Sequence, residues 1–239
     1  MTRLRGLFIA GTDTGVGKTQ VARAICALLA RRGMKPVALK PVETGCAPDA
    51  PEDALALRAA CGPPFDALPL DRVCPQRFLM PASPVAAAEA EGREVSMPRI
   101  FECVQLAAQE PGATLVVEAA GGLLVPLARD GDRLLTNLDF AQTLALPVVL
   151  VGRAGLGTLN HTALSIEALL RRAIPIAGIV LNRTAAEDDP TVATNARLLE
   201  ELTSIAVYGP GPFVADPSRR PEALQDLVAP ICARLPSPR

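Results

Sequence analysis

Tryptophan is absent from this chain, tyrosine and histidine occur once each, and aromatic residues make up only 3% of its 239 positions. Such a chain must build its core from aliphatic side chains, as helix-covered parallel sheets do. Although 49% of the residues are hydrophobic, no uninterrupted apolar run approaches the roughly 20 residues that span a bilayer. The N-terminus lacks the layout of a signal peptide, because its short apolar stretch ends in a glycine-rich turn. Basic excess is missing too. With 24 Lys and Arg against 25 Asp and Glu, the formal net charge is −1, and neither nucleic acid nor a membrane is favoured as a partner. The six cysteines, at 26, 46, 61, 74, 103 and 232, form no Cys-x-x-Cys and have no histidine-rich neighbourhood, so they read as reduced structural thiols. Without a linker or repeat, the expectation is one domain over 1–239, with 235–239 a frayed tail, in a soluble cytoplasmic protein.

Short apolar runs at Leu7–Ala10, Val37–Leu39, Thr114–Val117, Pro147–Val151, Ala177–Leu181 and Ile205–Tyr208 read as strands. Helical patterns at about 18–32, 97–110, 136–145, 159–172 and 190–203 lie between them, and a last one falls near 221–234. Strand–helix alternation implies an α/β fold with a doubly wound, mainly parallel sheet. Proline-rich Cys61–Pro84 reads either as an ordered excursion carrying substrate contacts or as a plain surface loop.

The first strand runs into Gly11-Thr12-Asp13-Thr14-Gly15-Val16-Gly17-Lys18-Thr19 and then into a helix carrying Val21, Ile25, Leu28 and Leu29. This order makes a phosphate cradle. The glycines let successive N–H groups and the positive helix end point at phosphate oxygens, Lys18 reaches the β and γ phosphates, and the Thr19 hydroxyl suits Mg²⁺. Five residues rather than four separate Gly11 from Gly17, and Thr12 stands where the simple P-loop pattern has glycine. Asp13 occupies the place where partitioning-type ATPases carry a signature lysine.

Ligands of an open parallel sheet bind beyond the carboxyl ends of the strands. Gly11–Thr19, Lys40, Glu118, Gly152–Gly157, Asn182 and Gly209–Gly211 all follow strands, so one crevice can collect them. Lys40, before Pro41 and near Thr44, reads as a γ-phosphate cation or a solvated lysine. Glu118 after Thr114–Val117 reads as a Mg²⁺ carboxylate or a helix cap, with Gly121 allowing close backbone approach of a ligand. Asp53 sits where a helix should begin, and residue type alone favours a cap there. Asn182 suits either an adenine edge or a turn. His161 has no Ser or Cys partner for a catalytic triad and reads as a cap or packing residue.

Together, the motifs Gly-Thr-Asp-Thr-Gly-Val-Gly-Lys-Thr at 11–19, Leu-Lys-Pro-Val-Glu-Thr-Gly at 39–45, Asp-Ala-Leu-Ala-Leu at 53–57, Ser-Pro at 83–84, Val-Glu-Ala-Ala-Gly-Gly at 117–122 and Leu-Gly-Thr-Leu-Asn-His at 156–161 resemble the dethiobiotin synthetase family, over nearly the whole chain. The resemblance implies a P-loop NTPase-like fold and ring closure of 7,8-diaminononanoate with CO₂ and Mg·ATP, through a carbamate and a carbamic–phosphoric anhydride. It implies phosphate contacts at Gly15, Val16, Gly17, Lys18, Thr19 and Gln20, and Mg²⁺ at Thr19, Asp53 and Glu118. Catalytic cations would be Lys18 and Lys40, with Thr14 and Thr44 near the diamine. Further nucleotide contacts would come from Ala119, Ala120, Gly121, Asn182, Arg183, Pro212, Phe213 and Val214. A homodimer is implied, in which Gly157, Thr158, Leu159 and Asn160 reach the other subunit's substrate. Ala119 stands where the family often has glycine. Two rival classes are a partitioning-type ATPase switch, which would need a lysine at Asp13, and a related amidoligase, which usually carries an added glutaminase domain.

Overall fold

The apolar runs become strands and the periodic segments become helices in the computed structural model, which describes residues 4–186 and 189–236. The chain opens with β1 (Gly6–Gly11), α1 (Lys18–Arg31), β2 (Lys35–Leu39), β3 (Val42–Thr44) and α2 (Glu52–Ala60). It continues through α3 (Leu70–Val73), β4 (Gln76–Phe78), α4 (Pro84–Ala90), α5 (Met97–Gln109), β5 (Ala113–Gly122), β6 (Pro126–Asp130), β7 (Arg133–Thr136) and α6 (Asn137–Leu144). The remainder is β8 (Val148–Arg153), α7 (Thr158–Arg171), β9 (Ile176–Asn182), α8 (Val192–Thr203), β10 (Val207–Tyr208), α9 (Arg220–Ala223) and α10 (Gln225–Ala233).

Six strands make one parallel sheet in the order β10-β9-β8-β1-β5-β2, flanked by helices. The chain leaves β1 for β2, returns inward to β5, and then builds β8, β9 and β10 on the other side. The strand order therefore reverses around β1, and ligand crevices open at such a point. All of β1 is buried. Its register sets Ile9 beside Glu118 of β5 and Gly11 beside Val151 of β8, which brings three strand ends together.

The core is aliphatic, with one small aromatic group: Phe140 meets Phe8 and Phe101 edge-on, at centroid distances of 5.7 and 5.8 Å. Val21, Ile25, Leu28 and Leu29 form the buried face of α1, against which α2, α9 and α10 pack. All six cysteines are free and buried. Among the described residues no helix is long and apolar enough to cross a membrane.

Several details depart from the sequence expectations. Residues 61–84 are an ordered excursion, because β4 pairs with β3 in a small parallel sheet and Pro81–Pro84 lead into the site cleft. The hairpin of β6 and β7 was not expected, although Asp130-Gly131 is a turn signal. The last helix divides at Leu224, a buried residue, into α9 and α10. Of the expected tail, residues 237–239 lie outside the described residues, while Leu235 packs against the core and the Pro236 carbonyl accepts from Arg5.

Asn137, at the start of α6, is buried, and its Nδ2 donates to the carbonyls of Ala120 and Gly122 at 2.7 and 2.9 Å. It ties down the far end of β5, just past Glu118. Asn137→Ala strands both carbonyls and is expected to lower unfolding stability by about 2 kcal/mol in urea titrations. A loss under about 0.5 kcal/mol would mean that water replaces the amide.

Candidate active site

Gly11 ends β1 and the chain turns through Gly15 and Gly17, whose φ angles of 72° and 93° only glycine adopts readily. Gly17 has a second constraint, since a Cβ there would meet the Asn182 side chain at 2.1 Å. The loop is braced at both ends. Thr12 N–H donates to Val151 O at 2.9 Å, and the Asn182 amide donates to Val16 O at 3.2 Å. Asp13 works within it: its carboxylate accepts from the Thr14 N–H at 2.7 Å and from Arg153 at 2.5 Å, while its carbonyl accepts from Lys18 Nζ at 3.0 Å. Where a switch ATPase would extend a lysine, this chain thus has a brace.

The strand ends deliver a charged cluster beside that loop. Glu118 is 0% exposed and Lys40 only 4%. Lys40 Nζ donates to Glu118 Oε1 at 2.5 Å and to Asp53 Oδ2 at 2.8 Å. Thr19 Oγ1 donates to the same Glu118 oxygen at 3.0 Å. Burial alone would pull the Lys40 ammonium down, but Glu118 and then Asp53 hold it above the ordinary lysine value. Burial pushes the Glu118 carboxyl up, against the pull of Lys40. Burial also works to raise Asp53, yet Lys40, the Thr19 hydroxyl and Lys18 keep it below its ordinary value. Asp53 therefore points across the cleft and is not the helix cap that residue type favoured.

Glu118 Oε2 is buried and has no hydrogen-bond partner among the described residues, whereas buried polar atoms are ordinarily partnered. The oxygen donors available around it, from Thr19, Asp53 and Glu118, suit a hard cation such as Mg²⁺. No group of three or more His, Cys, Asp or Glu side chains gathers among the described residues.

These groups line a cleft of about 580 Å³. It gathers Thr14, Gly15, Gly17, Lys18, Thr19, Gln20, Lys40, Thr44, Asp53, Glu118, Ala120 and Gly121 from the expected set. Val16 and Ala119 are buried behind it. Ala119 continues β5 without a positive φ, so its methyl group is accommodated in the core. Asn182 ends β9 and Arg183 follows it, and Gly211 N–H donates to Leu181 O at 2.9 Å, which sets Pro212, Phe213 and Val214 near the same strand end but outside the cleft lining. Gly157, Thr158, Leu159 and Asn160 begin α7 and also lie outside it, as does the exposed His161.

Sequence reasoning missed Glu43, which lines the cleft and is buried, whereas the Pro81–Ser83 wall falls within the 61–84 stretch that it offered as an ordered excursion. It also missed Asp189, whose carboxylate accepts from Leu156 N–H at 2.6 Å, and Asn195, which donates to Ala154 O at 2.8 Å. Their partners are 33 and 41 residues distant, and no local pattern announces such pairs.

A phosphate loop and two buried lysines over a parallel sheet define a P-loop enzyme that uses a nucleotide. An AAA-domain family model matches residues 5–219. ATP-dependent dethiobiotin synthetase BioD of Anaeromyxobacter dehalogenans strain 2CP-C is 50% identical over 228 residues, covering 95% of this chain and 98% of that protein. The protein of the same name from Haloferax mediterranei is 41% identical over 95% of this chain and 90% of its own length. That of Bacillus cereus strain B4264 is 34% identical over 93% and 89%. The chain belongs to the ATP-dependent dethiobiotin synthetase family.

Lys18 is 6% exposed, and burial lowers its ammonium to about 8, with Glu118 opposing the drop and Lys40 adding to it. A bound phosphate favours the charged form and raises that value, so nucleotide affinity is full below about pH 8 and falls as pH rises through it. Calorimetric ADP titrations from neutral pH to about pH 9.5 are expected to show this decline, at most about tenfold per pH unit. Lys18→Arg, whose guanidinium stays charged, should flatten it. An affinity independent of pH in the unmodified protein would contradict the lowered value.

Proposed function

We propose that the chain is an ATP-dependent cyclo-ligase of biotin biosynthesis, which closes the ureido ring of dethiobiotin from 7,8-diaminononanoate, CO₂ and ATP and releases ADP and phosphate. The observation that carries this reading is the buried Lys40 ammonium, fixed between Glu118 and Asp53 in the same cleft as the phosphate loop and Lys18, with Lys40 and Thr19 bonding one Glu118 oxygen. Two preorganised cations then flank the place where a phosphoryl group meets its acceptor. One domain, residues 1–239, carries the whole reaction, in the cytoplasm, with no nucleic acid or membrane partner.

The loop N–H groups of Gly15–Thr19, together with Gln20, bind phosphates, and Ala119–Gly121 bring backbone close to the bound substrates. Asn182, Arg183 and Pro212–Val214 face the adenine. Thr14 and Thr44 orient the diamine, one amine of which captures CO₂ as a carbamate. Lys40 and Lys18 hold the carbamate oxygen and the γ-phosphoryl group in line, and stabilise charge as the mixed anhydride forms. The second amine attacks the carbonyl, the ring closes and phosphate leaves. Thr19, Asp53 and Glu118 would hold Mg²⁺, and the ion would supply neutralisation of phosphate charge. The chemistry requires no His or Cys nucleophile. Its acceptor is a carbamate made from substrate, so phosphate release from Mg·ATP and bicarbonate should require the diamine. Rapid release without any diamine would favour a switch ATPase.

The active unit in this reading is a homodimer in which Gly157–Asn160 of one subunit completes the site of the other. Support comes from the α7 N-terminus, which presents free N–H groups suited to a carboxylate, and from exposed Leu124 and Leu164 lining a groove beside it. Asn160→Asp sets a like charge against the substrate carboxylate, and Lys40→Ala removes a catalytic cation. Mixing these two inactive proteins should return activity, because a heterodimer keeps one intact site of two. Failure to return activity despite proven subunit exchange, or an active monomer, would rule out the shared site.

A further inference from the structure

Glu43 sits in the cleft wall, 6% exposed, and forms no ion pair among the described residues. Its two carboxylate oxygens instead accept the backbone N–H groups of Asp53, at 3.1 Å, and Ala54, at 2.9 Å. These are first-turn donors of α2, and the residue at the cap position, Pro51, offers no side-chain acceptor. A carboxylate brought in from β3 therefore does what a local Ser or Asp does in most helices.

This bears on Asp53 directly. An aspartate at a helix start is prone to satisfy its own end of the helix, and a self-capping carboxylate cannot also reach across a cleft. In this structure the two N–H groups are already taken, and Asp53 Oδ2 lies 2.8 Å from Lys40 Nζ. We propose that Glu43 is a positioning residue: by occupying the N-terminus of α2 it frees the Asp53 carboxylate to face the metal and phosphate side of the cleft. The proposal rests on reading that cleft as the Mg·nucleotide site, and it concerns how one of the metal's ligands is aimed.

The test is a double-mutant cycle read by calorimetric ADP binding with Mg²⁺ and with a chelator. Glu43→Ala should weaken the Mg²⁺-dependent part of ADP binding roughly tenfold and leave chelator-only binding, which depends on the phosphate loop, unchanged. In an Asp53→Ala background the same substitution should change little, under about twofold, because the group being aimed is gone. Pro51→Ser, which places a hydroxyl where it can accept from one of these N–H groups, should restore part of the Mg²⁺-dependent binding to Glu43→Ala. Glu43→Gln, with one acceptor oxygen left, should fall in between and serves if the alanine variant does not fold. Equal losses with and without Asp53, or no rescue by Pro51→Ser, would overturn the positioning role. Wild-type protein whose ADP binding ignored Mg²⁺ would overturn the metal reading itself, and the role with it.

Discussion

A carboxylate with no solvent exposure, Glu118, is the constraint to which the rest of the site answers. Enclosing a charge costs several kcal/mol unless close partners replace water. Here Lys40 at 2.5 Å and the Thr19 hydroxyl at 3.0 Å converge on one oxygen, and Lys40 in turn needs Asp53 to balance its own burial. Breaking such a buried pair by removing one member typically costs about 3–5 kcal/mol, because the survivor is left uncompensated. The compensation is incomplete on one side only, at Glu118 Oε2. That oxygen is the one through which the proposed Mg²⁺ contact would be made, because the other is taken by Lys40 and Thr19.

Sheet topology explains how such a cluster is held. Glu118 and Ile9 are register partners on adjacent parallel strands, so the carboxylate lies beside the last turn of chain before the phosphate loop. The connecting loops are then tied to neighbouring strand ends by polar contacts, Thr12 to Val151 and Asp13 to Arg153 on one side, Asn137 to Ala120 and Gly122 on the other. Preorganised donors stabilise developing charge because they need not reorient during the reaction. A rigid parallel sheet with braced loops supplies that condition.

The second structural theme is the division of labour between carboxylates. Asp13 braces the loop, Glu43 holds the start of α2, Asp53 and Glu118 face the cations, and Asp189 ties the chain before α7 to the start of α8. All five are acidic residues near strand ends or helix starts, and composition treats them alike. Their roles differ because their neighbours differ. Two N–H groups make Glu43 a cap, whereas an ammonium and a hydroxyl make Glu118 part of a charged centre.

Local chemistry was enough to reveal the phosphate loop, the order of strands and helices, and the family motifs, since each depends on residues within about one helical turn or one strand of each other. Val21, Ile25, Leu28 and Leu29 announced the buried face of α1, Lys18 announced itself by its place in the glycine loop, and Lys40 and Glu118 by following apolar runs. The roles of Asp53 and Glu43 were hidden. Whether Asp53 caps its helix or faces Lys40 depends on a carboxylate that arrives from β3, and the Lys40–Glu118 pair joins residues 78 positions apart. Such pairings exist only after β2, β5 and β1 have come into register, for they are made by strand ends that meet in space and not by spacing along the chain.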